Sequence, residues 1–170
     1  QASITSVDMP ASVTIIGKKA FANCYYLSSI NLSENIKIID DLAFYNCHAL
    51  ESIILNDSIS FLGKAIFAYN TSLKYVKLPK GISYINHSTF EGCNSLLSID
   101  IPETVNAIGE RAFAKCLNLN QINLPENIIY IGGEAFYNTT WLKQQSEGCI
   151  YINNTLYGYN GNIPAKTDIT

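Results

Sequence analysis

Five cysteines and two histidines are the residues of this 170-residue chain best suited to nucleophilic or metal chemistry, and their spacing argues against both. Cys24, Cys47, Cys93 and Cys116 share one position of a repeating pattern, with Asn70 at the same position between them. Cysteine is among the most buried residue types and packs as a small hydrophobe, so the column reads as a reduced structural ladder. A Cys24–Cys47 or Cys93–Cys116 disulfide, or a bound metal, are the alternatives, since stacked rungs bring such residues near disulfide range. Asn70 shows that bonding is not a requirement of the position, and Cys149 has no evident partner. His48 and His87 lie in different columns, and neither is spaced to meet a Ser, Cys or carboxylate. A triad or zinc site needs convergent side chains in a closed pocket, so both read as surface histidines. Gly132-Gly133 belongs to a turn rather than a phosphate loop, and there is no Asp-x-Asp metal loop. Asn31-Leu32-Ser33 and Asn138-Thr139-Thr140 match the glycosylation acceptor pattern, which an Asn-rich chain produces by chance. No catalytic, cofactor-binding or metal-ligating residue is assigned, and an enzyme is not expected.

What positions these residues is a period of 23: Phe21, Phe44, Phe67, Phe90, Phe113 and Phe136 are each separated by that number. A fixed period between about 20 and 29 residues with a Leu-x-x-Ile-x-Leu core marks a leucine-rich repeat solenoid, in which each rung contacts only its neighbours. Val13, Ile36, Ile59, Ile82, Val105 and Ile128 form one inward ladder, and Ile16, Ile39, Leu62, Ile85, Ile108 and Ile131 form another. Next come Gly17, Asp40, Gly63, Asn86, Gly109 and Gly132, residue types that tolerate a left-handed backbone or cap a helix start, so the chain is expected to turn there and enter a short helix or 3₁₀ segment. Leu27, Leu50, Leu73, Leu96, Leu119 and Leu142 follow, and then Ile30, Ile53, Val76, Ile99 and Ile122 alternate with polar positions as a half-buried strand does. One parallel strand per rung over about six rungs gives a slab about 25–30 Å long at the ordinary strand spacing.

Composition agrees with a folded, uncommitted surface. Hydrophobic residues make up 48% and charged residues 15% of the chain, enough to bury a continuous core. Eleven basic against 14 acidic residues, net charge -3, leave no clustered basic face for nucleic acid. Apolar runs are broken well short of the roughly 20 residues a membrane-spanning helix needs. The chain opens on Gln1 with the back half of a rung (Ile4, Val7, Met9, Pro10) and without a polar capping unit, so it is expected to be a piece of a longer array, with any signal peptide outside it.

The residues Ile101-Pro102-Glu103-Thr104-Val105-Asn106-Ala107-Ile108-Gly109, Ala112-Phe113-Ala114-Lys115-Cys116, Leu119 and Ile122 resemble the BspA-like (Treponema pallidum-type) leucine-rich repeats, over roughly residues 4 to 142. Local departures from that pattern are Ile101 for Leu, Asn70 and Thr139 for Cys, Asp40 and Asn86 for Gly, and Ile66 and Thr89 for Ala. The resemblance implies a secreted or cell-surface protein of a host-associated bacterium or protist that binds host, matrix or neighbouring-cell proteins. Free buried thiols would suit an anaerobic exterior. A structural spacer presenting other domains is the alternative, and a glycan-binding surface a weaker one; the partner itself and the oligomeric state are not written in the sequence.

Two outward columns are the candidates for recognition. The strand face comprises Ser29/Asn31, Ser52/Ile54, Tyr75/Lys77, Ser98/Asp100 and Gln121/Asn123, concave if the slab curves. The second column is Ile15, Ile38, Phe61, Tyr84, Ala107 and Tyr130, an apolar stripe where the resembling family commonly has small or polar residues. The stripe is expected either to bind or to be covered by a neighbouring segment such as the C-terminal hairpin. That hairpin is expected over Cys149 to Tyr159, turning at Asn153-Asn154, because the repeat register fails after Leu142. Residues 1–142 are thus expected to form the solenoid, and 143–170 a hairpin insertion and a tail leading toward further repeats.

Overall fold

The computed structural model describes residues 3–153 and 155–160, without the side chains of the last two. Each rung contributes two strands. The longer ones are β1 (Ser6–Asp8), β3 (Ser29–Asn31), β5 (Ser52–Ile54), β7 (Tyr75–Lys77), β9 (Ser98–Asp100) and β11 (Gln121–Asn123). The shorter ones are β2 (Ile15–Ile16), β4 (Ile38–Ile39), β6 (Phe61–Leu62), β8 (Tyr84–Ile85), β10 (Ala107–Ile108) and β12 (Tyr130–Ile131). All pair in parallel with partners 23 residues away, as Ser6 with Ser29 and Ile15 with Ile38. The solenoid read from the period is therefore the fold, and the inward ladders of Ile, Leu and Phe are its core.

The strand ladders are interrupted. Longer strands pair two by two, β1 with β3, β5 with β7 and β9 with β11, and the shorter ones form two groups of three that part between β6 and β8. Continuity comes instead from the third edge of the rung. There Lys19, Phe21 and Asn23 donate their N–H groups to the carbonyls of Asp41, Ala43 and Tyr45 at 2.8–2.9 Å, and the same three bonds recur in every rung pair down to Arg111, Phe113 and Lys115. Within this edge the chain makes i→i+3 bonds, Ala20 to Gly17, Ala22 to Lys19 and Cys24 to Phe21, but no 3₁₀ run forms. Lys19 and Asn23, with their equivalents Leu42, Ala65, Ser88, Arg111 and Glu134 and Asn46, Tyr69, Gly92, Lys115 and Asn138, have positive φ, as the third residue of a type II turn must.

The left-handed position thus lies two residues past the glycine column. Gly63, Gly109 and Gly132 keep negative φ and are small for another reason: a Cβ there would collide with the backbone of the preceding rung. The non-Gly residues in the left-handed region cost roughly 1–2 kcal/mol each relative to the right-handed one, a cost offset by the inter-rung bonds their conformation directs.

Beneath this edge the six Phe rings stack with centroids 5.3–5.7 Å apart and planes within 17° of parallel. The cysteine column lies beside it. Cys47, Cys93 and Cys116 donate Sγ–H to the carbonyls of Phe21, Phe67 and Phe90, and all five cysteines are free thiols. Burial pushes the Cys47 and Cys116 thiols up to about 12 and Cys93 well above its ordinary value, so they stay protonated and unreactive. Asn70 accepts from the Cys47 N–H at 2.6 Å, and among the described residues its amide nitrogen is the one buried side-chain polar atom without a partner.

After the last rung, Thr139 caps the short helix α1 (Thr140–Lys143), and strands β13 (Gly148–Ile152) and β14 (Thr155–Asn160) form the antiparallel hairpin. Asn153 has positive φ as the turn requires; Asn154 and the tail lie outside the described residues. The Tyr157 hydroxyl accepts from the Phe136 N–H at 2.8 Å, taking the place of the next rung's carbonyl, and Tyr157 and Trp141 pack on the Phe136 ring. Asn153 Nδ2 donates to the carbonyl of Glu126 at 2.9 Å.

One charged cluster ties four rungs together on the turn edge. Glu91 accepts from Arg111 at 2.8 Å and Tyr69 at 3.0 Å, and Arg111 also pairs with Glu134. Burial raises the Glu91 pKa, but hydrogen bonds from Arg111, Ser88 and Tyr69 outweigh it and leave the carboxyl below its ordinary value.

Two outcomes follow for stability. Phe67→Ala should cost about 3–5 kcal/mol, measured by denaturant unfolding. A terminal ring is expected from the repeat alone to cost less; that holds for Phe21, which is only half-buried, but Phe136 is fully buried under Trp141 and Tyr157 and should cost as much as Phe67. Because folding lowers the Glu91 pKa, its ionised form stabilises the fold, fully above the ordinary value of 4.5 and decreasingly as pH falls through the lower folded value. The melting temperature should therefore drop on acidification below about pH 5, and Glu91→Gln should make that drop shallower.

Candidate functional site

Strand alternation sets the first candidate surface. Ile53, Val76 and Ile99 are buried, which turns the residues on either side of each outward, and Ser52, Ile54, Tyr75, Lys77, Ser98, Asp100, Gln121 and Asn123 are all exposed. Every residue assigned to the strand face thus lies on one surface. Its charges are spread by sign from rung to rung: Lys74 Nζ meets Glu51 at 2.9 Å, and Asn123 donates to Asp100 at 2.7 Å. Where β7 and β9 are not hydrogen-bonded, an open cleft of about 220 Å³ runs between Tyr75, Lys77 and Lys80 on one side and Ser98 and Asp100 on the other, floored by Val76, Leu78, Ile99 and Ile101.

The second surface is the stripe. Ile15, Phe61 and Tyr130 are exposed, at 55%, 46% and 52%, while Ile38, Tyr84 and Ala107 are half-buried. Among the described residues the hairpin does not cover it; the contacts seen go to Phe136, Pro125 and Glu126 at the end of the stack. The Tyr84 hydroxyl stands 2.9 Å from where a Cβ on Gly109 would be, so its side chain reaches toward Gly109 of the next rung. Burial, with Tyr130 beside it, raises the Tyr84 phenol above its ordinary pKa.

Between Phe61 and Tyr84 the shorter-strand ladder is open. Lys37, Ser60, Asn106 and Ile129 donate backbone N–H to the rung before at 2.8–3.0 Å, whereas among the described residues Ser83 makes no such bond. Gly63, Gly109 and Gly132 likewise donate to the preceding Ile carbonyl at 2.7–2.8 Å, but at Asn86 the side-chain Nδ2 reaches the Leu62 carbonyl at 3.4 Å in place of the backbone. Asn86 Oδ1 accepts from the His87 N–H, and the Thr89 hydroxyl bonds the Asn86 carbonyl at 2.7 Å. Side-chain size alone does not open the ladder, since Asp40 in the same column keeps its backbone bond to the Ile16 carbonyl at 2.9 Å; at Asn86 the amide takes the Leu62 carbonyl instead. A cleft of about 90 Å³ results, lined by Ser60, Phe61, Ser83, Tyr84 and Asn86. The departures of this rung from the repeat pattern were visible in the sequence; that the ladder is open here was not.

The histidines do not join either surface as a reactive group. His48 is exposed, stacked on Tyr25 with Nδ1 3.1 Å from Thr71 Oγ1, and His87 is half-buried beside Asn86. Among the described residues no three His, Cys, Asp or Glu side chains converge as a metal site would require, and no helix is long and apolar enough to cross a membrane.

The family described as BspA type Leucine rich repeat region matches the chain over residues 1–118 and 84–163, in six copies. Among solved structures, the leucine-rich repeat protein of Treponema pallidum is 31% identical with a TM-score of 0.77, over 81% of this chain and 64% of that one. A leucine-rich repeat protein from Bacteroides ovatus is 28% identical with a TM-score of 0.66, over 80% and 41%. A leucine rich cell surface protein from Faecalibacterium prausnitzii shares the fold at 21% identity and a TM-score of 0.52, over 81% and 58%. The chain therefore spans about half the length of the structures it matches, and no curated protein matches its sequence. With a 23-residue period, parallel strands and a family match across most of its length, the chain belongs to the BspA-type leucine-rich repeat proteins.

Proposed function

We propose that this chain is a non-enzymatic protein-binding module of a secreted or cell-surface protein, acting in adhesion to a host, matrix or neighbouring-cell protein. The observation that carries the reading is the strand face. Its outward side chains are all exposed and chemically varied, with Tyr75 and Ile54 as apolar anchors amid Lys77, Asp100, Gln121 and Asn123, on a backbone fixed by the turn-edge bonds. Proteins recognise such faces through a few aromatic or aliphatic anchors within a polar rim. Leucine-rich repeats serve generally as interaction scaffolds, and the Faecalibacterium neighbour is described as a cell surface protein, which supports the placement outside the cell. A second reading, a stiff spacer, is favoured by the unbroken turn ladder, which would transmit position along the stack without binding anything.

The chain, immobilised, should capture a defined protein from host-cell surface extract or extracellular matrix, identified by mass spectrometry and confirmed by titration with the purified partner. Tyr75→Ala with Lys77→Glu should weaken that titration at least tenfold. Capture of nothing reproducible would favour the spacer, and an unaffected double variant would remove the strand face from the interface.

A further inference from the structure

We propose that the stripe of Phe61, Tyr84 and Tyr130 is a second site, taking an uncharged saccharide chain laid along the stack. The inference rests on the reading of this chain as a binding module but on a different face.

Three observations select that ligand. The rings line an open face rather than a closed pocket: Phe61 and Tyr130 are about half exposed, and Tyr84, half-buried in a rung between them, reaches its hydroxyl toward Gly109 of the next rung. An aromatic face offers apolar area with a negative quadrupole, which suits the C–H faces of a pyranose. Most of the groups beside the rings are hydroxyls and amides, Ser60, Ser83, Asn106 and Asn86, with the exposed Ile129 next to Tyr130, and the charges around them, Lys37, Asp41, Lys64 and Glu110, are of both signs, so the surface has no complement for a charged polymer. Finally, the open ladder leaves the Ser83 and Asn86 backbone N–H groups unpaired among the described residues, at a cleft between two of the rings. Unmade backbone bonds are costly unless something satisfies them, and hydroxyl groups, which both donate and accept, can.

The rung spacing of about 4.8 Å is close to the length of one pyranose ring in an extended chain. Phe61 and Tyr84 sit one rung apart, and Tyr84 and Tyr130 two, so the stripe matches a saccharide of about four units on that spacing. An apolar peptide would use the rings but has no need of the hydroxyl-rich flank.

The test is titration of the whole chain with neutral oligosaccharides of two and six units from the gluco-, manno- and xylo- series, with heparin and polygalacturonate as charged probes. At least one neutral hexamer should bind, at least tenfold more tightly than its dimer and without dependence on salt. Tyr84→Ala should weaken binding at least tenfold while leaving the melting temperature within a few degrees of the parent. Asn86→Gly separates the site from the fold: without the amide the Leu62 carbonyl is left to the backbone N–H, as at Gly63, Gly109 and Gly132, so thermal stability should hold or rise while saccharide affinity falls.

Binding of the charged probes alone would overturn the proposal, as would full affinity in Asn86→Gly. Absence of neutral binding by a chain that still captures its protein partner would overturn this site and leave the binding module standing. Absence of both would overturn both readings.

Discussion

The three hydrogen bonds that cross from each turn edge to the next are the constraint on which the rest depends. They run without interruption from Lys19 to Tyr137, through rung pairs where the strand ladders on the other two edges are open. Forming them requires two left-handed residues per rung, an arrangement no single turn would sustain at roughly 1–2 kcal/mol each. Repetition sustains it, since every rung presents three carbonyls in register to the rung before. The stacked Phe rings and the thiols donating to Phe carbonyls occupy the space directly beneath, and the Tyr157 hydroxyl continues the same bonding at the end.

Because that edge carries the register, the other two edges are free to differ from rung to rung. Strand interruptions that would unravel an ordinary sheet are tolerated here, and two of them open clefts on the outward faces. The cleft between β7 and β9 on the strand face and the cleft between β6 and β8 beside the aromatic stripe both lie at such openings. On the proposed function, recognition resides in variation laid over a constant backbone, as suits a fold whose units contact only their neighbours.

Much of this was legible in the residues. The period, the inward ladders, the outward strand positions and the hairpin follow from spacing and alternation alone, since each is a local or strictly repeated property. The first column of left-handed residues was not legible, because no consistent residue type marks it: Lys19, Leu42, Ala65, Ser88, Arg111 and Glu134 share a conformation and nothing else, whereas the second column, with Asn23, Asn46, Gly92 and Asn138, carried a signal that went unread. Glycine pointed to the wrong position, being selected at Gly63, Gly109 and Gly132 for close approach. The opening at Asn86 depends on whether an amide reaches across to Leu62, a contact between rungs that sequence spacing does not contain. The burial of Phe136 likewise rests on Trp141 and Tyr157, which lie outside the repeat.

Native-state hydrogen exchange, resolved by residue, tests the primacy of the turn edge most directly. Amides that donate across it, such as Phe44, Ala65, Phe67 and Phe90, should be among the slowest in the chain and should open together, while Ser83 and Asn86 exchange rapidly within an otherwise protected stack. Fast exchange at Phe67 with slow exchange at Ser83 would contradict the account, for it would place the continuous backbone of the fold on the strands.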